Sequence, residues 1–269
     1  MIVFKEIITA AGVFILLGVL MGLLLAAATK LFSVKRDERA VAIGKTLPGA
    51  NCGGCGYAGC SALAEAIARG EAKVSACTVG GAATAAAVAE IMGVEAESAT
   101  TMRAFVMCCG SEDASRRKYV YSGADDCAAA AHLGGGGRAC PDGCIGLGSC
   151  AARCPFKAIE ITDGVAKVSP EKCVGCGVCV SHCPKGLIRL IPADSTVAVA
   201  CSSRDAGRVT KANCDAGCIG CRLCVKACPA GAVSVENNLA RIDEEKCTHC
   251  GACAEKCPRG VITTLLKKA

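Results

Sequence analysis

The longest apolar run comes first. Residues 7–29, IITAAGVFILLGVLMGLLLAAAT, hold 23 positions without a charge. About 20 such residues span the hydrocarbon core of a bilayer as a helix, in which every backbone group is satisfied internally. The pattern predicts a single N-terminal transmembrane helix within 1–32. Gly12, Gly18 and Gly22 are tolerable there, and Gly18 with Gly22 would let a partner helix approach closely. A cleaved signal peptide would have a shorter apolar core and a more basic start; here Lys5 is cancelled by Glu6. Lys30, Lys35, Arg36, Arg39 and Lys45 follow the run, and that asymmetry places the body of the chain on the cytoplasmic side of the cell (inner) membrane, single-pass. Beyond the run the periods shorten. SALAEAIAR (61–69) predicts a helix stopped at Gly70, and AATAAAVAEIM (82–92) a second, plainly packed one. RAFVM (103–107) is strand-like. AIEI and VAKV alternate apolar and polar residues about a TDG turn, and AVSV and LARI do so about Asn237-Asn238, so two hairpins are expected.

Composition changes the picture. There are five Phe, three Tyr and no Trp, and the apolar residues are mostly small. Such a core buries little area per residue, and small domains of this kind draw stability from metals or clusters. The net charge of +6 is modest, and no basic stretch carries interleaved aromatics, so no nucleic-acid partner is expected. The 25 cysteines are the exceptional feature. Their odd number and tight packets argue against a disulfide framework.

The packets repeat. Cys150, Cys154, Cys173, Cys176, Cys179 and Cys183 fall on Cys224, Cys228, Cys247, Cys250, Cys253 and Cys257 with a constant offset of 74 residues. Each half has a packet ending in Cys-Pro, a hairpin, and a second packet ending in Cys-Pro. That is the outline of a two-cluster bacterial ferredoxin, in which three cysteines of a packet serve one [4Fe-4S] cluster and the fourth serves the other. The crossed sets are then Cys173, Cys176 and Cys179 with Cys154; Cys247, Cys250 and Cys253 with Cys228; and Cys218, Cys221 and Cys224 with Cys257. The remaining packet is lengthened, and its expected set is Cys140, Cys144 and Cys150 with Cys183. Near the N-terminus, NCGGCGYAGC gives Cys52, Cys55 and Cys60, and Cys77 would close a fifth four-thiolate site. Glycines around Cys52 and Cys55 let backbone approach a cofactor closely. A zinc-holding structural scaffold is the alternative of another class, though zinc prefers two separated pairs of ligands.

The order of these units, with YVYSGADDCAAA and GCIGLGSC between them, resembles over the whole chain the RnfB family, the iron–sulfur components of Rnf electron-transport complexes. The resemblance implies an α+β polyferredoxin with a transmembrane anchor (1–32), a membrane-proximal [4Fe-4S] domain (33–100), a linker region (101–138) and two tandem ferredoxin-like modules (139–192 and 193–269). It implies an electron-relay subunit of a membrane-bound, ion-translocating ferredoxin:NAD oxidoreductase, an enzyme only as part of that complex. Its partners would be soluble ferredoxin and the integral-membrane, flavin-binding and NAD-binding subunits. A related system that keeps a redox sensor reduced is the runner-up. No flavin, nicotinamide or Ser-His-Asp motif is present, so no catalytic residue is expected on this chain.

Cys108, Cys109, Cys127, Cys201 and Cys214 remain. Four of them, Cys108, Cys127, Cys201 and Cys214, would make a sixth cluster if folding brings them together. His132, His182 and His249 read as solvated loop residues, GGGG (134–137) as a flexible linker, and EDASRRKY (112–119) as a solvated turn whose basic groups could attract an acidic partner.

Overall fold

The computed structural model describes residues 2–31, 37–95 and 101–265, with side chains of the first helix described at 12 and 14–30. That helix, α1 (Ile2–Leu31), is followed by α2 (Glu38–Thr46), α3 (Cys60–Ala68) and α4 (Gly81–Met92). Asp37 caps α2, its carboxylate accepting the Arg39 amide at 2.9 Å. Gly93 in the left-handed region ends α4. Ile43, Leu63, Ile67 and Val88, from three helices, form a fully buried core. The expected helices at 61–69 and 82–92 correspond to α3 and α4.

Among the described residues, no helix is long and apolar enough to cross a membrane. The transmembrane helix and single-pass topology expected from the apolar run are corrected accordingly. Lys35 and Arg36 of the flanking charges lie outside the described residues.

The rest of the chain repeats one plan twice. Strand β1 (Met102–Val106) precedes α5 (Cys127–His132), α6 (Ser149–Ala152), the β2–β3 hairpin (Ile159–Thr162, Val165–Val168), α7 (Val178–Ser181) and β4 (Ile188–Pro192). The second round has β5 (Val197–Val199), α8 (Gly207–Asn213), α9 (Leu223–Ala227), the β6–β7 hairpin (Val233–Glu236, Leu239–Ile242), α10 (Ala252–Glu255) and β8 (Ile262–Thr264). In each round the first strand pairs antiparallel with the last, β1 with β4 and β5 with β8. The hairpins turn at Asp163-Gly164 and at Asn237-Asn238, all four in left-handed φ, as two-residue turns between twisted strands require.

The four short helices α6, α7, α9 and α10 share one geometry. Each starts after a residue with φ between 61° and 81° (Gly148, Gly177, Arg222, Gly251) and carries a packet's third cysteine on its buried side. Thiols also supply much of the core. Cys150 and Cys179 join Ala104, Ile159 and Ile188 in one half, and Cys201, Cys224 and Cys253 join Val197, Val233 and Val261 in the other.

Candidate iron–sulfur centres

The N-terminal loop is pinned by Asn51, itself in left-handed φ, whose Oδ1 accepts the Cys60 amide at 2.8 Å. Cys77 Sγ accepts the Gly80 amide at 3.4 Å. Burial pushes the Cys77 thiol up, and the Cys60 and Cys55 sulfurs lie near enough to add to the effect. This loop meets the first ferredoxin-like half: a Cβ on Gly54 would lie 1.9 Å from the Cys176 carbonyl oxygen, so only glycine fits that contact. Cys52 faces Cys176 across it.

In that half, Cys154, Cys173 and Cys176 surround Cys179, whose thiol burial pushes up to about 12. Cys150 also lies within electrostatic reach of Cys179, and thus neighbours a second group. Cys127, Cys144, Cys150 and Cys183 line a single cavity, while Cys140 lies with Cys108, Cys201 and Cys214 in another. Cys127 opens α5; Asp126 caps the helix, and the Cys127 amide donates to Ser149 Oγ at 2.7 Å, tying it to the Cys150 packet. In the second half, Cys218, Cys221, Cys224 and Cys257 line a third cavity, and Cys253 lies within electrostatic reach of Cys228 and Cys247. Cys221 and Cys250 are exposed.

Two features suit these thiols to iron–sulfur clusters. First, burial raises the Cys150 and Cys224 thiols to about 11, so each stays neutral at pH 7 unless a cation compensates the thiolate. Second, backbone amides point at the sulfurs. The amide four residues after a Cys-Pro cysteine returns to its Sγ at Ala158–Cys154, Leu187–Cys183 and Ala232–Cys228, at 3.3–3.4 Å, and the Ala104 amide reaches Cys173 Sγ at 3.3 Å. Hydrogen bonds to sulfur are one of the levers that set cluster potentials. Among the described residues no three Cys, His, Asp or Glu side chains converge closely enough to hold one ion.

Other sequence-based expectations meet a more ordered chain. EDASRRKY is a hydrogen-bonded strap: the Arg116 amide donates to Asn213 O, and the Ala139 amide to Arg116 O. Its basic groups are engaged, Arg117 with Glu112 at 2.7 Å and Arg116 with Asp215 at 3.7 Å. The four glycines form a turn whose Gly137 carbonyl accepts the Lys118 amide at 2.7 Å. His182 Nδ1 lies 2.8 Å from Val178 O in an exposed position.

Cavities ringed by cysteine, on two ferredoxin-like halves, define an iron–sulfur protein built to hold and pass electrons. Comparison with known proteins agrees. Family models described as "Putative Fe-S cluster", "4Fe-4S binding domain" and "4Fe-4S dicluster domain" match residues 47–79, 166–189 and 217–261. The chain is 46% identical over 244 residues to the B subunit of the Na(+)-translocating ferredoxin:NAD(+) oxidoreductase complex of Acetobacterium woodii, covering 90% of this chain and 73% of that one. It is 40% identical over 233 residues to the B subunit of the ion-translocating oxidoreductase complex of Methanosarcina acetivorans, covering 86% and 88%. It is 41% identical over 245 residues to the B subunit of the proton-translocating ferredoxin:NAD(+) oxidoreductase complex of Clostridium ljungdahlii, covering 90% and 86%. The chain belongs to the RnfB family, the B subunits of ion-translocating oxidoreductase complexes.

Proposed function

We propose that this chain takes electrons from reduced soluble ferredoxin and relays them to the membrane subunits of an ion-translocating ferredoxin:NAD oxidoreductase complex. The observation that carries this reading is the succession of thiol groups along both ferredoxin-like halves. It runs from Cys52 to Cys176 and from Cys179 to Cys150 in the first half, and Cys253 stands beside Cys228 and Cys247 in the second. Five [4Fe-4S] clusters, if bound there, supply one-electron chemistry. For four of the sites the proposed ligand sets are those expected from the spacing: Cys52, Cys55, Cys60 and Cys77; Cys154, Cys173, Cys176 and Cys179; Cys218, Cys221, Cys224 and Cys257; Cys228, Cys247, Cys250 and Cys253. In the irregular set, Cys127 is proposed in place of Cys140, beside Cys144, Cys150 and Cys183, because it lines their cavity. The chain then divides into an N-terminal cluster domain ending near residue 100 and two ferredoxin-like modules meeting near residue 193, the first of which recruits β1.

The residues divide the labour. Exposed Cys221 and Cys250 mark the end nearest to solvent, where a soluble electron donor can approach. The amides on Cys77, Cys154, Cys173, Cys183 and Cys228 would favour the reduced, more negative state of a cluster held there. Two relatives of similar likeness are named for different ions, Na(+) and protons. That is expected if other subunits, integral-membrane and flavin- and NAD-binding, handle the ion and the hydride. All described cysteines are free thiols, which suits the cytoplasmic side of a membrane-associated complex.

The test is direct reduction. Anaerobic chain mixed with catalytic ferredoxin, kept reduced by an excess of a reductant that does not itself reduce the chain, should lose much of its visible iron–sulfur absorption. A colourless, zinc-loaded chain, or a brown one that ferredoxin leaves unbleached, would refute the reading.

A further inference from the structure

The 74-residue offset extends beyond the packets. Cys140 and Cys144 fall on Cys214 and Cys218, so GCIGLGSC (143–150) overlies GCIGCRLC (217–224). Leu147 stands where the second half has Cys221, and Cys127 fills that gap in space. Cys140 is thus the equivalent of Cys214, outside the packet proper. The first strands correspond too. Cys108 lies two residues past β1, and Cys201 two residues past β5. Their surroundings repeat: the Cys144 amide donates to Cys108 Sγ and the Cys218 amide to Cys201 Sγ, both at 3.4 Å.

These two pairs meet at the seam between the modules. Cys108, Cys140, Cys201 and Cys214 line one cavity of ≈ 370 Å³ of atom-free space, against ≈ 360 and ≈ 390 Å³ for the cavities at Cys218 and Cys144. A Cβ on Gly110 would sit 3.0 Å from Cys214 Sγ and 3.9 Å from Cys108 Sγ, which brings sulfurs from both modules to one point. Ser115 Oγ lines the same cavity, 4% exposed and without a hydrogen-bond partner among the described residues. A buried hydroxyl left unpaired is a donor waiting for an acceptor. Cys109 also lines the cavity, but its Sγ donates to Ala216 O at 3.4 Å and is held as a thiol. The other four accept backbone amides, from Cys144, Asp142, Cys218 and Ala216. The strap at 114–118 crosses the seam, with the Asp215 amide donating to Ala114 O and the Ala139 amide to Arg116 O, both at 2.7 Å.

We propose that Cys108, Cys140, Cys201 and Cys214, two from each module, hold a further [4Fe-4S] cluster at the seam, with Ser115 as a hydrogen-bond donor to it. This rests on the reading of the packets as iron–sulfur sites. The seam site lies between the Cys144 and Cys218 sites, whose first cysteines donate their amides to its ligands. One-electron exchange with either neighbour, one centre oxidised as the other is reduced, would join the modules into a single relay without a co-reactant.

Iron and labile sulfide per chain, measured on full-length protein purified anaerobically, test this. Wild type should hold about 24 irons, not about 20, at four per cluster. Cys140→Ala and Cys201→Ala should each lose about four, and the double variant no more than about four, since both ligands serve one cluster. Cys140→Ala with Cys150→Ala should lose about eight, and Cys127→Ala with Cys150→Ala about four. The proposal is overturned if Cys201→Ala keeps all its iron, or if Cys140→Ala adds nothing to the loss from Cys150→Ala. Should a variant lose all its iron by misfolding, a wild-type content of about 20 irons would overturn it and about 24 would uphold it. Iron lost from Cys224→Ala but not from Cys201→Ala would sink the seam site while leaving the packet reading intact.

Discussion

A chain carrying Cys60→Ala is expected to accept electrons from reduced ferredoxin at the wild-type rate and to deliver almost none to the rest of its complex. Cys60 opens α3, and alanine is a better helix former than cysteine, so the helix itself should survive. The Asn51 side chain still has the residue-60 amide to accept. What is lost is one thiolate of the site at the far end of the succession from exposed Cys221 and Cys250. The Gly54–Cys176 contact is the route by which that site meets the first module. The two effects separate in one preparation: visible bleaching by ferredoxin reports the distal centres, and NAD reduction reports delivery. Ferredoxin-driven NAD reduction should fall to the background of vesicles lacking the chain. Equal loss of bleaching and delivery would mean that electrons enter at the N-terminal site instead.

Removal of iron is expected to unfold the two modules and to spare the helical part. The N-terminal core rests on Ile43, Leu63, Ile67 and Val88, each nearly fully buried, with cysteines only at its edge. In the modules the buried set is largely thiols, valines and alanines. Such small side chains bury little apolar area, and each contributes at most about 1–2 kcal/mol. A bound metal site supplies folding free energy on the order of 10 kcal/mol, so chelation removes more than the remaining core can offset. Buried thiolates left without iron would take up protons, since burial raises Cys140 and Cys179 to about 12. Anaerobic chelation followed by limited proteolysis should cut within 101–265 and leave 38–93 protected. Modules that resist cleavage without iron would show that their packing suffices alone.

How much of this was legible in the sequence depends on range. The hairpins were, because strict alternation and the Asp-Gly and Asn-Asn turns are written within a dozen residues. Helices α3 and α4 were, from apolar spacing, with Gly70 marking the end of the first. The three-cysteine packets were, since their spacing is local. The β1–β4 and β5–β8 pairings were not, for they join segments 60 or more residues apart with no local sign of the partner. The placement of Cys127 is of the same kind. It lines the Cys144 cavity from a separate helix, and the only local sign is the absent cysteine at Leu147. The strap at 112–119 reads as polar because most of its side chains, Ser115 excepted, face solvent, while its backbone pairs with both modules. The apolar N-terminal run shows the opposite error. It passes a count of uncharged residues, yet no helix among the described residues is long and apolar enough to cross a membrane.

The central claim is that this chain is the electron path between ferredoxin and the remainder of an ion-translocating oxidoreductase. Inverted membrane vesicles prepared anaerobically, with and without the chain, test it through NAD reduction driven by reduced ferredoxin, with Na⁺ present or absent. The account predicts that NAD reduction disappears without the chain and returns when the iron-loaded chain is restored, and that a requirement for Na⁺, if seen, identifies the coupling ion. NAD reduction that continues undiminished without the chain would contradict the account and move its clusters to another electron acceptor.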